Sequence, residues 1–230
     1  MALRRLMFYL LLFWVLPLAS FGQQTVFDVP SADVLDRGKV YGELDLTFRP
    51  VDFAFGATPR VVFGVGHRIE AGLNVNGIGA PGESHTILSP TLKWKLYDGG
   101  KNGWAFLAGD DLFFPVQNRM CNTGNYFYAF FSKSWETGTR AGFGGYHFSP
   151  NVVARAQRAG GQFTFEQNVL SKLQMAAEWY TGRHANGYFN PGLIYKATPK
   201  FTFYGAYQLG NSGVRSGNHN FLFELGYNFN

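Results

Sequence analysis

Apolar and polar residues alternate at every second position along most of this chain, and this alternation constrains the fold more than any other feature. In residues 39–49 the apolar side of an extended chain holds Val40, Gly42, Leu44, Leu46 and Phe48. Polar or charged residues occupy most of the other side. Because side chains of a strand point alternately to opposite faces, a period of two indicates a β-strand with two unlike faces.

Twelve segments of this kind are separated by turn residues. They are residues 38–49, 59–66, 68–78, 86–97, 103–114, 124–135, 139–148, 158–169, 172–182, 187–196, 200–210 and 218–229. Short connections alternate with longer ones in most cases, which is typical of consecutive up-and-down hairpins rather than a Greek-key sandwich. We therefore predict an all-β, antiparallel, up-and-down barrel of about 12 strands, in which the first and last strands pair.

The environment of the apolar faces decides between a soluble and a membrane barrel. These faces are similar in length and rich in aromatic residues near the strand ends, which favours a lipid band with aromatic girdles. After residue 22 no run of 18 apolar residues occurs, which excludes ordinary helical spans. We predict a transmembrane barrel with its charged faces turned inward. Four tyrosines are assigned to the girdle, with stacking on sugar rings or bases as the alternative: Tyr126, Tyr128, Tyr180 and Tyr188.

Residues 1–22 have the features of a signal peptide. Arg4 and Arg5 precede an apolar stretch over 6–18, and small residues favour cleavage near Gly22 and Gln23, with a retained anchor as the alternative. Cleavage lowers the net charge from +5 to about +3 (5 − 2), and the excess is not clustered, so nucleic-acid binding is not predicted. The single cysteine, Cys121, cannot form an intrachain disulfide.

The signal-like start, the alternating segments and the aromatic last strand together resemble the outer-membrane β-barrel proteins of Gram-negative bacteria, of the porin-like or small-channel type. The resemblance implies an outer-membrane location and contact with outer-membrane lipid. It also implies that the barrel-assembly machinery reads the last strand through Phe221, Phe223, Leu225, Tyr227 and Phe229. Asn230 departs from the usual aromatic end.

This resemblance divides the chain into three parts. Residues 1–22 are the signal peptide, and residues 38–230 are the barrel. Between them, residues 23–37 form either a periplasmic tail or a small plug inside the lumen, and we favour the tail.

Charged residues of both signs fall on the predicted inner faces. They are Lys39, Glu43, Asp45, Arg49, Arg60, Glu70, Lys93, Lys95, Arg140, Glu166, Glu178, Lys196 and Glu224. One interpretation is a ladder of cross-strand ion pairs that fills a structural or adhesive barrel. The other is a weakly selective passive channel for small polar solutes or ions, with basic Lys93 and Lys95 facing an acidic wall across water. We predict the channel, with the closed barrel as the alternative.

A lipid hydrolase is the least favoured alternative. Residues 183–187, with His184, resemble the His-x-Ser-Asn region of lipid A deacylases and of outer-membrane phospholipases, but no serine stands at the required place. We therefore predict no enzyme activity. The other histidines, His67, His85, His147 and His219, lack ligand spacing, so neither a metal nor a cofactor is predicted.

Two adjacent aspartates interrupt the fifth segment. Asp110 and Asp111 cannot both face the lumen of a regular strand, so one must point outward. A bulge, or a position beyond the lipid band, would accommodate the outward carboxylate. No calcium-loop spacing surrounds this pair.

Overall fold

The computed structural model describes residues 24–79, 86–116, 123–153, 157–213 and 218–229. The signal-like residues 1–22, the cleavage position at Gly22 and Gln23, and three single residues of the predictions, His85, Cys121 and Asn230, lie outside these ranges. Among the described residues, no helix has the length and apolar character needed to cross a membrane.

Antiparallel strands account for nearly all of the described secondary structure. The strands are β1 Val40–Arg49, β2 Ala54–Gly66, β3 Ile69–Asn76, β4 Ile78–Gly79, β5 Ile87–Asp98, β6 Trp104–Pro115, β7 Gly124–Ser134, β8 Thr139–Phe148, β9 Ala159–Asn168, β10 Leu173–Tyr180, β11 Tyr188–Lys196, β12 Phe201–Gly210 and β13 His219–Asn228. The described residues also include a short helix, α1, which spans Pro150–Val153.

The sheet closes on itself because β1 pairs with β2 on one side and with β13 on the other. Twelve strands form the barrel in chain order, and the two-residue β4 adds to the end of β2. The prediction of a closed, up-and-down, all-β barrel of about 12 strands is confirmed. Closure provides hydrogen-bond partners for the backbone N–H and C=O groups that an open sheet edge would leave unpaired.

One strand boundary differs clearly from the prediction. β2 begins at Ala54 rather than at residue 59, and its pairing with β1 continues to Arg49↔Ala54. The first connection is therefore residues 50–53, where Phe53 has a φ of 58°. Small residues and Pro59 conceal the alternation of this stretch, so the sequence pattern is that of a loop.

The two ends of the barrel differ in their connections. Residues 67–68, 99–103, 135–138, 169–172 and 197–200 connect strands at the end where β1 starts and β13 finishes. We call this the turn end and the opposite side the loop end. Helix α1 follows β8 at the loop end and packs beside β7.

Large apolar side chains cover the outer wall. Exposed examples occur on strands all around the barrel and include Phe63, Trp94, Phe143, Phe165, Trp179, Phe203 and Phe223. Stacked rings connect neighbouring strands, as in Phe106 against Phe131 with centroids 4.4 Å apart. Because an apolar surface of this extent is unfavourable in water, the outer wall fits a lipid surround.

Asp110 and Asp111 follow the regular alternation without a bulge between them. Asp111 lies opposite inward-facing Tyr126, and Asp110 points outward. The Nδ2 of Asn125 donates hydrogen bonds to both oxygens of Asp110, at 3.1 and 3.3 Å. A neighbouring amide on the outer wall, rather than a bulge, therefore accommodates the outward carboxylate.

The two-residue turn between β2 and β3 is strained. His67 and Arg68 have φ values of 53° and 63°. Positive φ at both central residues defines a type I′ turn, where Asn-Gly is preferred. We expect Arg68→Gly to stabilise the barrel by about 0.5–1 kcal/mol, because glycine adopts this conformation without steric cost.

The midpoint of urea unfolding of the refolded protein in lipid measures this effect. Lys172→Gly is the matched control, since Lys172 lies in another turn and is not among the described residues with positive φ. The control variant is expected to lower the midpoint slightly. If the urea midpoint of Arg68→Gly is no higher than that of the parent, the turn is not strained at Arg68.

Candidate functional site

Residues 24–36 lie inside the barrel, and we call them the luminal segment. The segment turns back on itself through a bridge between Thr25 and Pro30, and the amide of Val26 donates to the carbonyl of Val29 at 2.8 Å. Its side chains at Val26, Phe27 and Val29 are almost fully buried. The structure thus has a plug where the sequence favoured an external tail.

Glu178 on β10 holds the tip of this turn. The amides of Phe27, Asp28 and Val29 donate to its carboxylate at 3.0, 2.8 and 2.9 Å. Asn190 on β11 adds a fourth N–H at 2.8 Å. Three successive amides aimed at one carboxylate form an anion-binding nest, and hydrogen bonds to a charged acceptor are about twice as strong as neutral ones.

Lys93 on β5 holds both arms of the turn. Its Nζ donates to the carbonyls of Gln24 at 3.0 Å and Ser31 at 3.3 Å. It also forms an ion pair of 2.8 Å with Glu70 on β3, whose other oxygen accepts the amide of Leu35 at 3.1 Å. The ammonium group therefore has an acceptor for each of its three protons.

Arg140 on β8 holds the segment nearer the turn end. Its guanidinium pairs with Asp33 at 2.8 Å and forms a two-pronged contact with Glu166 at 2.6 and 2.7 Å. Burial raises the pKa of Asp33, but the Arg140 charge outweighs this effect, and the pKa lies below its ordinary value. The Asp33 carboxylate is therefore charged at neutral pH.

Polar wall groups also reach the remaining parts of the segment. Arg60 donates to the hydroxyl of Thr25 at 3.1 Å. The carboxylate of Asp28 accepts from Asn190 at 2.9 Å and from Gln208 at 2.7 Å. The segment is thus bound by side chains from many strands of the wall.

Apolar contacts add to these polar ones. Among the described residues, luminal side chains form three apolar clusters, and the segment contributes to each. Val29 and Ala32 join the first cluster, Val26 and Phe27 the second, and Leu35 the third. The segment therefore completes the packing of the lumen.

Gly64 on β2 allows the segment to pass the wall at the turn end. A Cβ atom at this position would lie 1.9 Å from the carbonyl oxygen of Asp36. The chain then continues through Gly38, whose amide donates to the carbonyl of Gly64 at 2.8 Å. The luminal segment therefore connects to β1 along the turn end of the barrel.

The aromatic cluster of the lumen corrects the girdle assignment. Tyr126, Tyr128 and Tyr180 face inward and are nearly fully buried, and they pack with Tyr146 and Phe148. Tyr188 also faces inward, where its hydroxyl accepts a hydrogen bond from Asn220 at 3.3 Å. The girdle prediction for these four tyrosines is wrong. β7 is apolar on both faces because one face is external and the other fills the lumen.

His184 belongs to this aromatic cluster rather than to the outer wall. Its Nε2 lies 2.7 Å from the Tyr146 hydroxyl, and its Nδ1 accepts the amide of Asn186 at 3.2 Å. Tyr146 donates in turn to the carbonyl of Thr181 at 2.5 Å. Burial lowers the pKa of His184, consistent with a neutral ring in this network. The histidine has a structural role in holding the loop of residues 181–187.

Comparisons with known proteins agree with the architecture. Neither the protein-family models nor the curated proteins contain a match to this sequence. The NanC porin structure superposes with a TM-score of 0.59 and 15% identity, covering 82% of this chain and 99% of that one. The chain has the fold of an outer-membrane, porin-like β-barrel. An outer-membrane channel from Pseudomonas putida F1 gives a TM-score of 0.48 and 12% identity, covering 85% of this chain and 97% of that one.

Within this porin-like barrel, the predicted luminal charges fall into three groups. Five residues bind the segment or the residues that hold it: Glu70, Lys93, Arg140, Glu166 and Glu178. Four belong to a second cluster at the closing seam: Glu43, Asp45, Arg60 and Glu224.

The third group lies at the barrel ends. Lys95 pairs with Asp98 at 3.3 Å near the turn end, and Arg49 pairs with Asp52 at 2.7 Å near the loop end. Lys39 is exposed where β1 begins. Lys196 lines a cavity at the turn end. Lys93 therefore has an acidic partner on β3, and Lys95 has one on its own strand. The channel hypothesis instead placed both lysines opposite an acidic wall across water.

The last strand places its predicted recognition residues on the outer wall. Phe221, Phe223, Leu225 and Phe229 are exposed, and Tyr227 is partly exposed. Tyr227 meets Phe229 edge to face with centroids 4.9 Å apart. These rings are therefore accessible from outside the barrel.

A cavity of about 670 Å³ opens at the turn end below the segment. Its lining includes Asp33 and Arg140, together with polar groups of the turns. This cavity connects the base of the luminal segment to the outside. Water and small polar solutes can therefore approach the segment from the turn end.

Proposed function

We propose that the protein is an outer-membrane channel for small polar solutes or ions, and that the luminal segment occupies the channel in its closed state. The polar wall behind the segment supports this proposal. If the segment leaves, Glu178, Lys93 and Arg140 line a wet passage instead of binding main-chain groups. A water-filled lumen requires such a wall.

The observation that carries the proposal is the way the segment is held. Its polar contacts come from wall side chains, and its bridge is internal between Thr25 and Pro30. The barrel closes independently through the β1–β13 pairing. Displacing the segment therefore leaves the strand hydrogen bonds that close the barrel intact.

Charges of both signs line the lumen, and they occur as neighbouring pairs. Glu70 lies beside Lys93, and Glu166 lies beside Arg140. Paired charges of opposite sign produce only a small net field along the passage. We therefore propose weak selection between cations and anions.

The proposed location follows from the outer wall. Its exposed apolar side chains fit the outer membrane, with lipid as the direct partner. The outward aromatic residues of β13 are proposed to bind the barrel-assembly machinery, as the resemblance to outer-membrane barrels implies. We propose no catalytic role, since His184 lies in the luminal aromatic cluster.

A structural or adhesive barrel with a closed lumen is the second candidate. The aromatic cluster around Tyr126, Tyr146 and Phe148 favours it, because these rings fill the lumen independently of most of the segment. On this view the segment is a permanent part of the core. The two functions differ in whether the full chain ever conducts.

Single-channel recording of the refolded full chain in planar bilayers tests the proposal. We expect brief openings separated by long closed periods, because the segment is strongly bound. Reversal potentials in a KCl gradient are expected to show weak ion selectivity. A full chain that stays closed at every applied voltage contradicts the channel and favours the structural barrel.

A further inference from the structure

Three carboxylates meet at the seam where the barrel closes. Asp45 on β1 lies directly opposite Glu224 on β13, and Glu43 lies two residues away on the same inner face. One carboxylate oxygen from each of the three lies within 4.8 Å of the other two. All three residues are at least nine-tenths buried. Adjacent strands of a closed barrel thus hold the three groups in fixed positions.

Glu224 lacks the partners that Glu70, Glu166 and Glu178 have. In the part of the chain that the structure describes, no hydrogen-bond donor reaches either oxygen of Glu224, although the residue is only 3% exposed. Glu70, Glu166 and Glu178 each accept hydrogen bonds from neighbouring groups in the described lumen. A buried carboxylate without a partner is strongly unfavourable, so this group either takes up a proton or binds a ligand that supplies positive charge.

Arg60 on β2 compensates only part of the charge. Its guanidinium lies 2.6 Å from Asp45 and 3.7 Å from Glu43. Tyr41 donates to the second oxygen of Glu43 at 2.5 Å. Three carboxylates and one guanidinium carry a net charge of −2 when all are ionised. Among the described residues, no donor reaches Oδ1 of Asp45, and Oε1 of Glu43 has only the 3.7 Å approach of Arg60.

We propose that Glu43, Asp45 and Glu224 bind one divalent cation at the closing seam, with a preference for calcium over magnesium. A +2 ion balances the remaining charge and supplies the missing partner of Glu224. The site lies in the wall between β1 and β13, so cation binding can be measured independently of conduction. It revises the sequence prediction that the chain has no metal site.

The burial of the three carboxylates supports the preference for calcium, because all three residues are at least nine-tenths buried. Calcium accepts carboxylate oxygens in flexible geometries. Magnesium requires nearly octahedral geometry, dehydrates reluctantly and usually keeps several waters, so it is less suited to a buried group of carboxylates.

Terbium luminescence tests this site directly, because terbium occupies calcium sites and is excited through nearby tyrosines. Tyr41 is hydrogen-bonded to Glu43, and the hydroxyl of Tyr204 lies 3.2 Å from that of Tyr41. The chelator-treated full chain in detergent is expected to give saturable terbium emission. Calcium is expected to displace the terbium at lower concentration than magnesium.

Glu224→Gln is expected to abolish the saturable emission, and Glu43→Gln provides a second variant should the first fail to fold. Asp111→Asn is the control, because it removes a luminal carboxylate outside the cluster and should retain the emission. Calcium at one hundred times its dissociation constant is expected to raise the unfolding temperature of the parent by about 5–10 °C. Emission that is absent in the parent, or unchanged in folded Glu224→Gln and Glu43→Gln, overturns the proposal.

Discussion

Replacing Glu178 with alanine is expected to raise the open probability of the barrel by about 100-fold. The substitution removes the charged acceptor of three successive amides in the luminal segment. Loss of charge-assisted hydrogen bonds is expected to weaken retention of the segment by about 3 kcal/mol, and each 1.4 kcal/mol corresponds to a factor of ten. Single-channel recording measures the fraction of time open.

Glu178→Gln is expected to give an intermediate increase, because its amide oxygen still accepts one or two of these hydrogen bonds without the charge. Asp111→Asn serves as the matched control, since Asp111 is a luminal carboxyl that makes no hydrogen bond to the described luminal segment. Its open probability should equal that of the parent. Equal open probabilities for the parent and Glu178→Ala would show that this anchor does not control the lumen.

Lys93→Met is expected to produce the largest loss of stability of any single substitution discussed for this barrel. It leaves Glu70 buried without its cation and removes the donor to the carbonyls of Gln24 and Ser31. Breaking a buried ion pair on one side costs about 3–5 kcal/mol. Urea unfolding of the refolded protein in lipid measures the change in the free energy of unfolding.

The double variant Lys93→Met with Glu70→Gln separates charge burial from lost anchoring. Removing the second charge is expected to recover about half of the lost stability, because no unpaired carboxylate then remains. The amide of Leu35 retains an oxygen acceptor at position 70. If the double variant is no more stable than Lys93→Met alone, the loss of stability comes from packing and not from the buried charge.

The barrel could be predicted from the sequence because successive residues of each strand face apolar lipid and the lumen in turn, and so differ in polarity. In β10, Met175 and Trp179 face outward while Gln174 and Glu178 face inward, as the alternation predicts. The start of β2 was missed because Gly56, Ala57 and other small residues there carry no clear polarity. Alternation identifies the inward and outward faces of a strand only where successive side chains differ clearly in polarity.

The plug was not accessible in the same way. Asp28 and Asp33 are acceptors for groups more than a hundred positions away in sequence, and no local pattern encodes such contacts. The inward position of the luminal aromatic residues could not be predicted for a related reason. Tyr126 and Tyr180 are equally suited to a lipid interface and to a packed lumen, because each has an apolar ring and a polar hydroxyl.

Adding the luminal segment back to a barrel that lacks it tests whether this segment closes the channel. A variant without residues 24–36 is recorded in a planar bilayer, and a synthetic peptide of residues 24–36 is added to one side at a time. We expect sustained conductance that the peptide blocks from the turn end, and weaker block by a peptide with Asp33→Asn. A variant that remains closed, or conducts equally with and without peptide, would show that the luminal segment does not close the channel.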